Sequence, residues 1–476
     1  MPPRPGRLAT PKIREGGLAL VACVGLAIWA LPRPDAVDSR AWHLLAIFVA
    51  TVVGIIAKPL PMGAMAVVGI AAALATRTLT IGEALSGFAN GTVWLVVTAF
   101  FLAAGFIKTG LGARIAYVLI SHFGRSTLGL GYSLVATDLV LAPTIPINTA
   151  RAGGVVFPIL QSLTRTAAGD DPVAGGHTRA FLTLTAYNGT VITSAMFLTA
   201  MVANPLSAQL ASDQGISITW GLWALAAVVP GVISLIVVPL VIYGLCPRGV
   251  VRTPGAPADA RAALARMGPV SRGEQRMGAI SIILLAAWIG GPAIGIDTTA
   301  AALMAIAALL VTGVLTWDDI SHDHEAWNTF IWFAALVMMA TYLGQFGLTT
   351  WFTEQVGSLV AGVGWLPGFL GLILVYFYSH YFFASITAHV SAMYAPFLAV
   401  ALALGAPPLL AALVLAFFSN LFASLTHYGT APAPILFSSG HVALGAWWRI
   451  GAIVSVVNIA IWLVVGAAWW RLLGLW

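Results

Sequence analysis

Charge is scarce in this chain: Asp, Glu, Lys and Arg together supply 8% of its 476 residues, against 60% hydrophobic residues. Mean hydropathy is +0.95. A water-soluble domain of this length cannot cover its surface with so few ionic groups. A soluble or disordered chain is therefore excluded, and an all-α polytopic membrane protein is expected. Cysteine is scarcer still. Cys23 and Cys246 fall at or inside apolar segments, which leaves no disulfide framework and no zinc or redox spacing. The 22 Lys plus Arg exceed the 16 Asp plus Glu only slightly. Much of that excess lies at the N-terminus and in one loop, the orientation signal of membrane proteins rather than a nucleic-acid surface. No phosphate loop, HExxH, GxSxG or dinucleotide fingerprint occurs in its required context. His322-Asp323-His324-Glu325 is read as a solvated loop, because four consecutive residues cannot easily converge on one ion. No cofactor, no metal and no enzymatic activity are expected.

Apolar segments recur near 18–31, 41–57, 62–76, 92–120, 127–163, 180–203, 217–246, 278–295, 298–316, 327–352, 366–404, 407–440 and 447–474. Several match the roughly 20 residues a helix needs to cross a bilayer. The first follows a basic, proline-rich tail and is followed by Pro32-Arg33-Pro34 instead of a small-residue cleavage site. It is read as a span with a cytoplasmic N-terminus. The segments 127–163 and 366–404 are too long for one helix. Pro143, Pro146, Gly153, Gly154 and Pro158 break one, and Pro367 and Pro396 break the other. Irregular backbone at membrane depth survives only where protein or a water-filled cavity covers it. Both segments are read as re-entrant helical hairpins, the sequence-level pointer to a transporter site.

Between the halves, residues 247–276 hold Arg248, Arg252, Arg261, Arg266, Arg272 and Arg276 against Asp259 and Glu274. This linker is expected to be cytoplasmic. The domain reading is a tail and first span over 1–40, one repeat over 41–247, the linker over 248–276, and a second repeat over 277–476. About eleven transmembrane helices plus the two hairpins are expected. An odd count per half inverts the second repeat and leaves the C-terminus outside.

The repeat rests on residues. Ile147-Asn148-Thr149-Ala150-Arg151 and Ser385-Ile386-Thr387-Ala388-His389 share a step of 387 − 149 = 238, and the same step carries Pro158 to Pro396 and Leu160 to Leu398. Lys108-Thr109-Gly110-Leu111 matches Gln345-Phe346-Gly347-Leu348, and Tyr187-Asn188-Gly189-Thr190 matches His427-Tyr428-Gly429-Thr430. A chargeable side chain among apolar residues normally marks a substrate or ion pathway. Arg151 and His389 at matching places point to one anion site built from both halves. Arg151 alone can also be read as a buried structural ion pair with Asp138, and His389 alone as a hydrogen-bonded core histidine. His380, His427 and His441 are read as structural.

The runs LAPTIPINTARAGGVVFPI (141–159), YSHYFFASITAHVSAMYAPF (378–397) and THYGTAPAPILFSSG (426–440) resemble the divalent anion–sodium symporter family. They resemble more narrowly its exchanger branch, the 2-oxoglutarate/malate translocators and the citrate/succinate and tartrate/succinate antiporters. The resemblance spans essentially the whole chain. It implies a homodimer with an elevator mechanism, in which a transport domain slides against a scaffold. The family's Ser-Asn-Thr motif sits at each hairpin tip. Here each copy keeps two of three positions, as Asn148-Thr149 and as Ser385 with Thr387. The resemblance therefore makes Asn148, Thr149, Ser385 and Thr387 substrate-binding, and Thr190, Gly429 and Thr430 are added as residues expected at helix breaks.

In the sodium-coupled branch, cations bind beside each motif; the exchangers are similar to this chain in placing Arg and His there. Arg151 and His389 are thus expected to compensate charge in place of sodium. On this reading the chain is a sodium-independent antiporter of di- or tricarboxylates in a cell (inner) membrane. A sodium-coupled dicarboxylate symporter is the runner-up. A polytopic membrane enzyme and an anion channel are the rivals from other classes.

Overall fold

The computed structural model describes residues 15–145, 147–166, 172–246, 249–359, 362 and 364–476. The expectations placed on the tail 1–14 and on Pro146, Pro247 and Arg248 fall outside the described residues. Among the described residues there is no strand, only one isolated β-bridge between Ser126 and Arg252. Among the described residues, eight helices are long and apolar enough to cross a membrane, and five shorter apolar helices of 10–17 residues accompany them. The chain is a helical, multi-pass membrane protein.

The first half contains α1 (Glu15–Ala30), α2 (Ser39–Ala57), α3 (Met62–Ala75), the short α4 (Ile81–Leu85), α5 (Gly91–Thr109), α6 (Leu111–Phe123), α7 (Thr127–Leu141), α8 (Phe157–Thr166), α9 (Pro172–Met196), α10 (Ala203–Ser212) and α11 (Trp220–Leu245). An amphipathic helix α12 (Gly255–Met267) interrupts the linker and packs on α6. The second half contains α13 (Arg272–Gly290), α14 (Thr298–Val311), the short α15 (Trp317–Ser321), α16 (His324–Gln345), α17 (Leu348–Leu359), α18 (Trp365–Tyr378), α19 (Ile386–His389), α20 (Ala395–Ala403), α21 (Pro408–Leu421), α22 (Pro432–Phe437), α23 (Leu444–Ala460) and α24 (Ala467–Leu472).

Local chemistry sets the boundaries. Asp38 caps α2 by accepting from the Arg40 N–H at 2.7 Å. Asn90 does the same for α5 through Thr92 at 2.8 Å, which satisfies donors that a helix start otherwise leaves orphaned. Gly110 (φ 76°) ends α5 and Gly347 (φ 82°) follows α16. Both take the left-handed conformation that glycine adopts without strain. The apolar segment 92–120 is therefore two helices, not one.

Two groups of helices make most of the packing, joined where α11 meets α13 and where α10 meets α5, α16 and α21. In one, α16 lies against α2, α3 and α5, and α14 lies against α5 and α13. In the other, α9 is central, packed on α7, α11 and α21. The apolar α21 is the most enclosed span, with 89% of its window buried. Trp223 and Trp462 meet Phe417 of α21 at ring distances of 5.3 and 4.9 Å.

Candidate functional site

Each broken segment folds as two helical arms joined by an irregular tip. In the first, α7 leads into residues 142–145, and the chain returns from residues 147–149 through a π-helical turn, Ala150–Val156, into α8. In the second, α18 ends in a 3-10 turn, Ser379–Phe382, and the return arm is α19, a π-helical turn Val390–Tyr394 and α20. The arms are rooted differently. The start of α7 is tied to the linker, Thr127 donating to the Val250 carbonyl and Thr253 N–H to the Arg125 carbonyl. Trp365, at the start of α18, meets Trp476 at the chain's end.

The two tips share a cavity of about 500 Å³. Asn148 and Thr149 line it from the first tip, Ser385 and Thr387 from the second, and Thr430 from the break before α22. Ser385 caps α19 in extended conformation and accepts from the Ala388 N–H at 3.4 Å. The Asn148 amide donates to the Thr430 hydroxyl at 3.0 Å and so ties the two halves together. Both return arms begin among residues that line the cavity, Asn148 and Thr149 in the first and Ser385, Ile386, Thr387 and Ala388 in the second.

Arg151 and His389 do not line this cavity, contrary to the reading of a cationic pocket. Both are fully buried. The Arg151 guanidinium donates to Asp138 through Nε at 3.3 Å, to the carbonyls of Ile145 and Ala200 through Nη1 at 2.5 and 2.6 Å, and to Ser194 through Nη2 at 2.9 Å. Thr193 also donates to Asp138. The structural ion pair is thus present, and it holds the carbonyls of the first tip and of the turn after α9. A guanidinium in this interior is stabilised by a carboxylate and fixed acceptors, not by an open pocket.

His389 lies between Phe383 and Phe422, at ring distances of 4.6 and 4.5 Å. Its Nδ1 bonds to Nδ1 of His380 at 3.2 Å and its Nε2 to the Ser379 hydroxyl at 3.2 Å. His380 Nε2 bonds to the Gly429 carbonyl at 2.9 Å and must donate there. One of the two Nδ1 atoms must accept from the other, so at least one of the two rings is neutral. His380, read only as a structural residue, is the partner that sets this arrangement.

Two further expectations are corrected. Thr190 is not at a helix break, because α9 runs unbroken through Gly189 and Thr190. Its buried hydroxyl has no partner among the described residues. The interruption comes later, at the 3-10 turn Leu198–Ala200. His427–Thr430 does lie in a break, between the 3-10 turn Phe422–Leu425 and α22, so these two sequence-similar runs occupy different kinds of element. Gly429 contributes a carbonyl to His380 rather than a wall to the cavity.

The facing wall was not read from sequence. Lys58 lines it from the end of α2, Met62 from the start of α3, and Glu325, Asn328 and Trp332 from α16. The signal available was that Lys58 is the sole Asp, Glu, Lys or Arg between Arg40 and Arg77.

Comparison with known proteins agrees with this architecture. The family described as the sodium:sulfate symporter transmembrane region matches residues 14–476. The chain is 54% identical over 462 residues to the "Putative malate transporter YflS" of Bacillus subtilis, covering 96% of each chain. It is 49% identical over 457 residues to "Dicarboxylate transporter 1, chloroplastic" of Spinacia oleracea, covering 95% of this chain and 80% of that one. The crystal structure of the Alcanivorax borkumensis YdaH transporter superposes with a TM-score of 0.52 at 14% identity, covering 96% of both chains, which is a likeness of fold.

Proposed function

Because the chain belongs to the sodium:sulfate symporter transmembrane region family, that of the divalent anion–sodium symporters, we propose that it is a sodium-independent antiporter exchanging di- or tricarboxylates across a membrane. The names of its relatives support malate and other dicarboxylates as the substrate class. Asn148, Thr149, Ser385, Thr387 and Thr430 supply the neutral donors and hydroxyls that grip the carboxylates from the cavity wall.

The observation that carries sodium independence is the use made of the tip carbonyls. A sodium ion beside the first tip needs carbonyl and hydroxyl oxygens. There the Arg151 guanidinium holds the Ile145 and Ala200 carbonyls, the Ser194 hydroxyl and Asp138. Beside the second break, His380 holds the Gly429 carbonyl. Fixed protonated donors take the places of the ion, acting on the protein's own oxygens instead of on substrate. Without a co-transported cation, net movement of a dianion against an inside-negative potential costs about 2.3 kcal/mol per charge per 100 mV, or about 4.6 kcal/mol. Exchange of one dianion for another avoids that cost.

The elevator mechanism follows the same reading. The group around α9 and α21 carries the tips and is the transport domain. The group around α2, α3, α5, α14 and α16 is the scaffold, which holds a homodimer contact. The rooting of the two hairpins on different ends of the molecule, and the paired order of elements in each half, support inverted repeats. The N-terminus and linker are assigned to the cytoplasm, the C-terminus to the outside, and the membrane to the cell (inner) membrane.

Counterflow in proteoliposomes tests the proposal. Labelled malate, succinate or 2-oxoglutarate should enter only when an unlabelled diacid is preloaded, with no response to a sodium gradient. Uptake into empty vesicles driven by sodium would establish the symporter instead.

A further inference from the structure

We infer that Lys58 is the cation that a carboxylate of the transported anion meets inside the cavity, on the wall facing the hairpin tips. The inference rests on the reading of this cavity as a carboxylate site. The tips offer only neutral groups, and the buried cation beside them, Arg151, is committed to Asp138 and to backbone carbonyls. Among the described residues lining the cavity, only Lys58 and Glu325 belong to the Asp, Glu, Lys and Arg types. Lys58 forms no ion pair among the described residues, so its ammonium is available to a ligand.

The backbone of Lys58 adds an independent observation. It sits at the C-cap of α2 with φ 52° and ψ 48°, and its N–H donates to the Gly54 carbonyl. Among the described residues, Lys58 and Arg77 are the two non-glycine residues at positive φ. Glycine fills this helix-ending conformation at Gly110, and a lysine there carries strain that a glycine would relieve. Strain held at a cavity wall is the pattern expected where the side chain matters more than the turn. Trp332 lines the same wall, with its indole N–H buried and without an acceptor among the described residues. Glu325 works in the opposite sense, limiting how strongly the wall holds an anion once it has arrived.

Malate binding to the purified wild-type protein and its Lys58→Gln, Lys58→Gly, Lys58→Arg and Glu325→Gln variants tests this, alongside counterflow. Gln and Gly should weaken malate binding and raise KM about tenfold, with the maximal rate kept. Arg should restore most of it, and Glu325→Gln should tighten binding. The wild-type KM should climb with ionic strength while that of Lys58→Gln stays nearly flat. Because Gly relaxes the turn, Lys58→Gly should unfold at no lower temperature than wild type, which separates a lost contact from a damaged fold. Wild-type binding and exchange with a KM for Gln and Gly within about twofold of wild type would overturn the role of Lys58 alone. Wild-type binding that depends on Lys58, without any counterflow, would overturn exchange and leave Lys58 standing. Absence of malate, succinate and 2-oxoglutarate binding to wild type would overturn both.

Discussion

At the scale of single residues, Arg151 organises more of the interior than any other buried ion. It joins α7 through Asp138, the first tip through Ile145, the end of α9 through Ser194 and the following turn through Ala200. Removing one member of such a pair leaves the other charged and unpaired, which costs about 3–5 kcal/mol. Arg151→Gln should therefore lower the unfolding temperature of the detergent-purified protein sharply, besides abolishing transport. A variant that unfolds like wild type yet fails to transport would show that Arg151 acts on the substrate instead. The sequence marked Arg151 as exceptional because a lone cation in an apolar run always is. It could not decide which oxygens would surround it, since Ser194 and Ala200 are more than forty residues away.

At the scale of elements, the two short helices α4 and α15 are built alike. Thr80 and Glu83 form one capping box and Thr316 and Asp319 the other, with the same step of 316 − 80 = 236 and 319 − 83 = 236. Each follows a left-handed residue, Arg77 at φ 55° and Gly313 at φ 73°. Each acid also pairs with a cation, Glu83 with Arg40 and Asp319 with Lys108. The Lys108 ammonium, then the Thr316 N–H, hold the Asp319 carboxyl down to about 2. A depressed carboxyl contributes stability that is complete above its unfolded value near 4 and is lost as pH falls toward 2. Asp319→Ala should cost about 1 kcal/mol at neutral pH through the lost capping box, and the difference from wild type should shrink below pH 4 in thermal unfolding. These boxes were legible as S/T-x-x-D/E patterns. The π-helical turns at Ala150–Val156 and Val390–Tyr394 were not, because nothing in local composition separates them from ordinary helix.

At the scale of the whole molecule, two sets of contacts mark the two faces. Lys108–Asp319 and Arg114–Glu274 lie with the linker at one end of the spans, and Arg40–Glu83 lies at the other. The 19 residues of α5, which starts just after the Glu83 turn and carries Lys108 in its last turn, separate them by about 28 Å at 1.5 Å per residue. In a background lacking Cys23 and Cys246, Ala265→Cys and Asp318→Cys should react with an impermeant thiol reagent from one side of the membrane. Ile294→Cys, at an exposed position beyond α13, should react only from the other. Labelling of all three from one side would refute this arrangement.

Composition and hydropathy were enough to determine the class, because a chain with 8% charge has no soluble solution. The broken segments and the Asn148-Thr149 and Ser385–Thr387 tips were equally legible, since proline and glycine punctuate a membrane helix wherever they stand. Tertiary structure alone decided where the charges point. Whether Arg151 faces a cavity or a carboxylate, whether His389 meets substrate or His380, and that Lys58 stands across from the tips all depend on residues distant in the chain. The cost of burying an ion is fixed by those neighbours, and no local spacing records them.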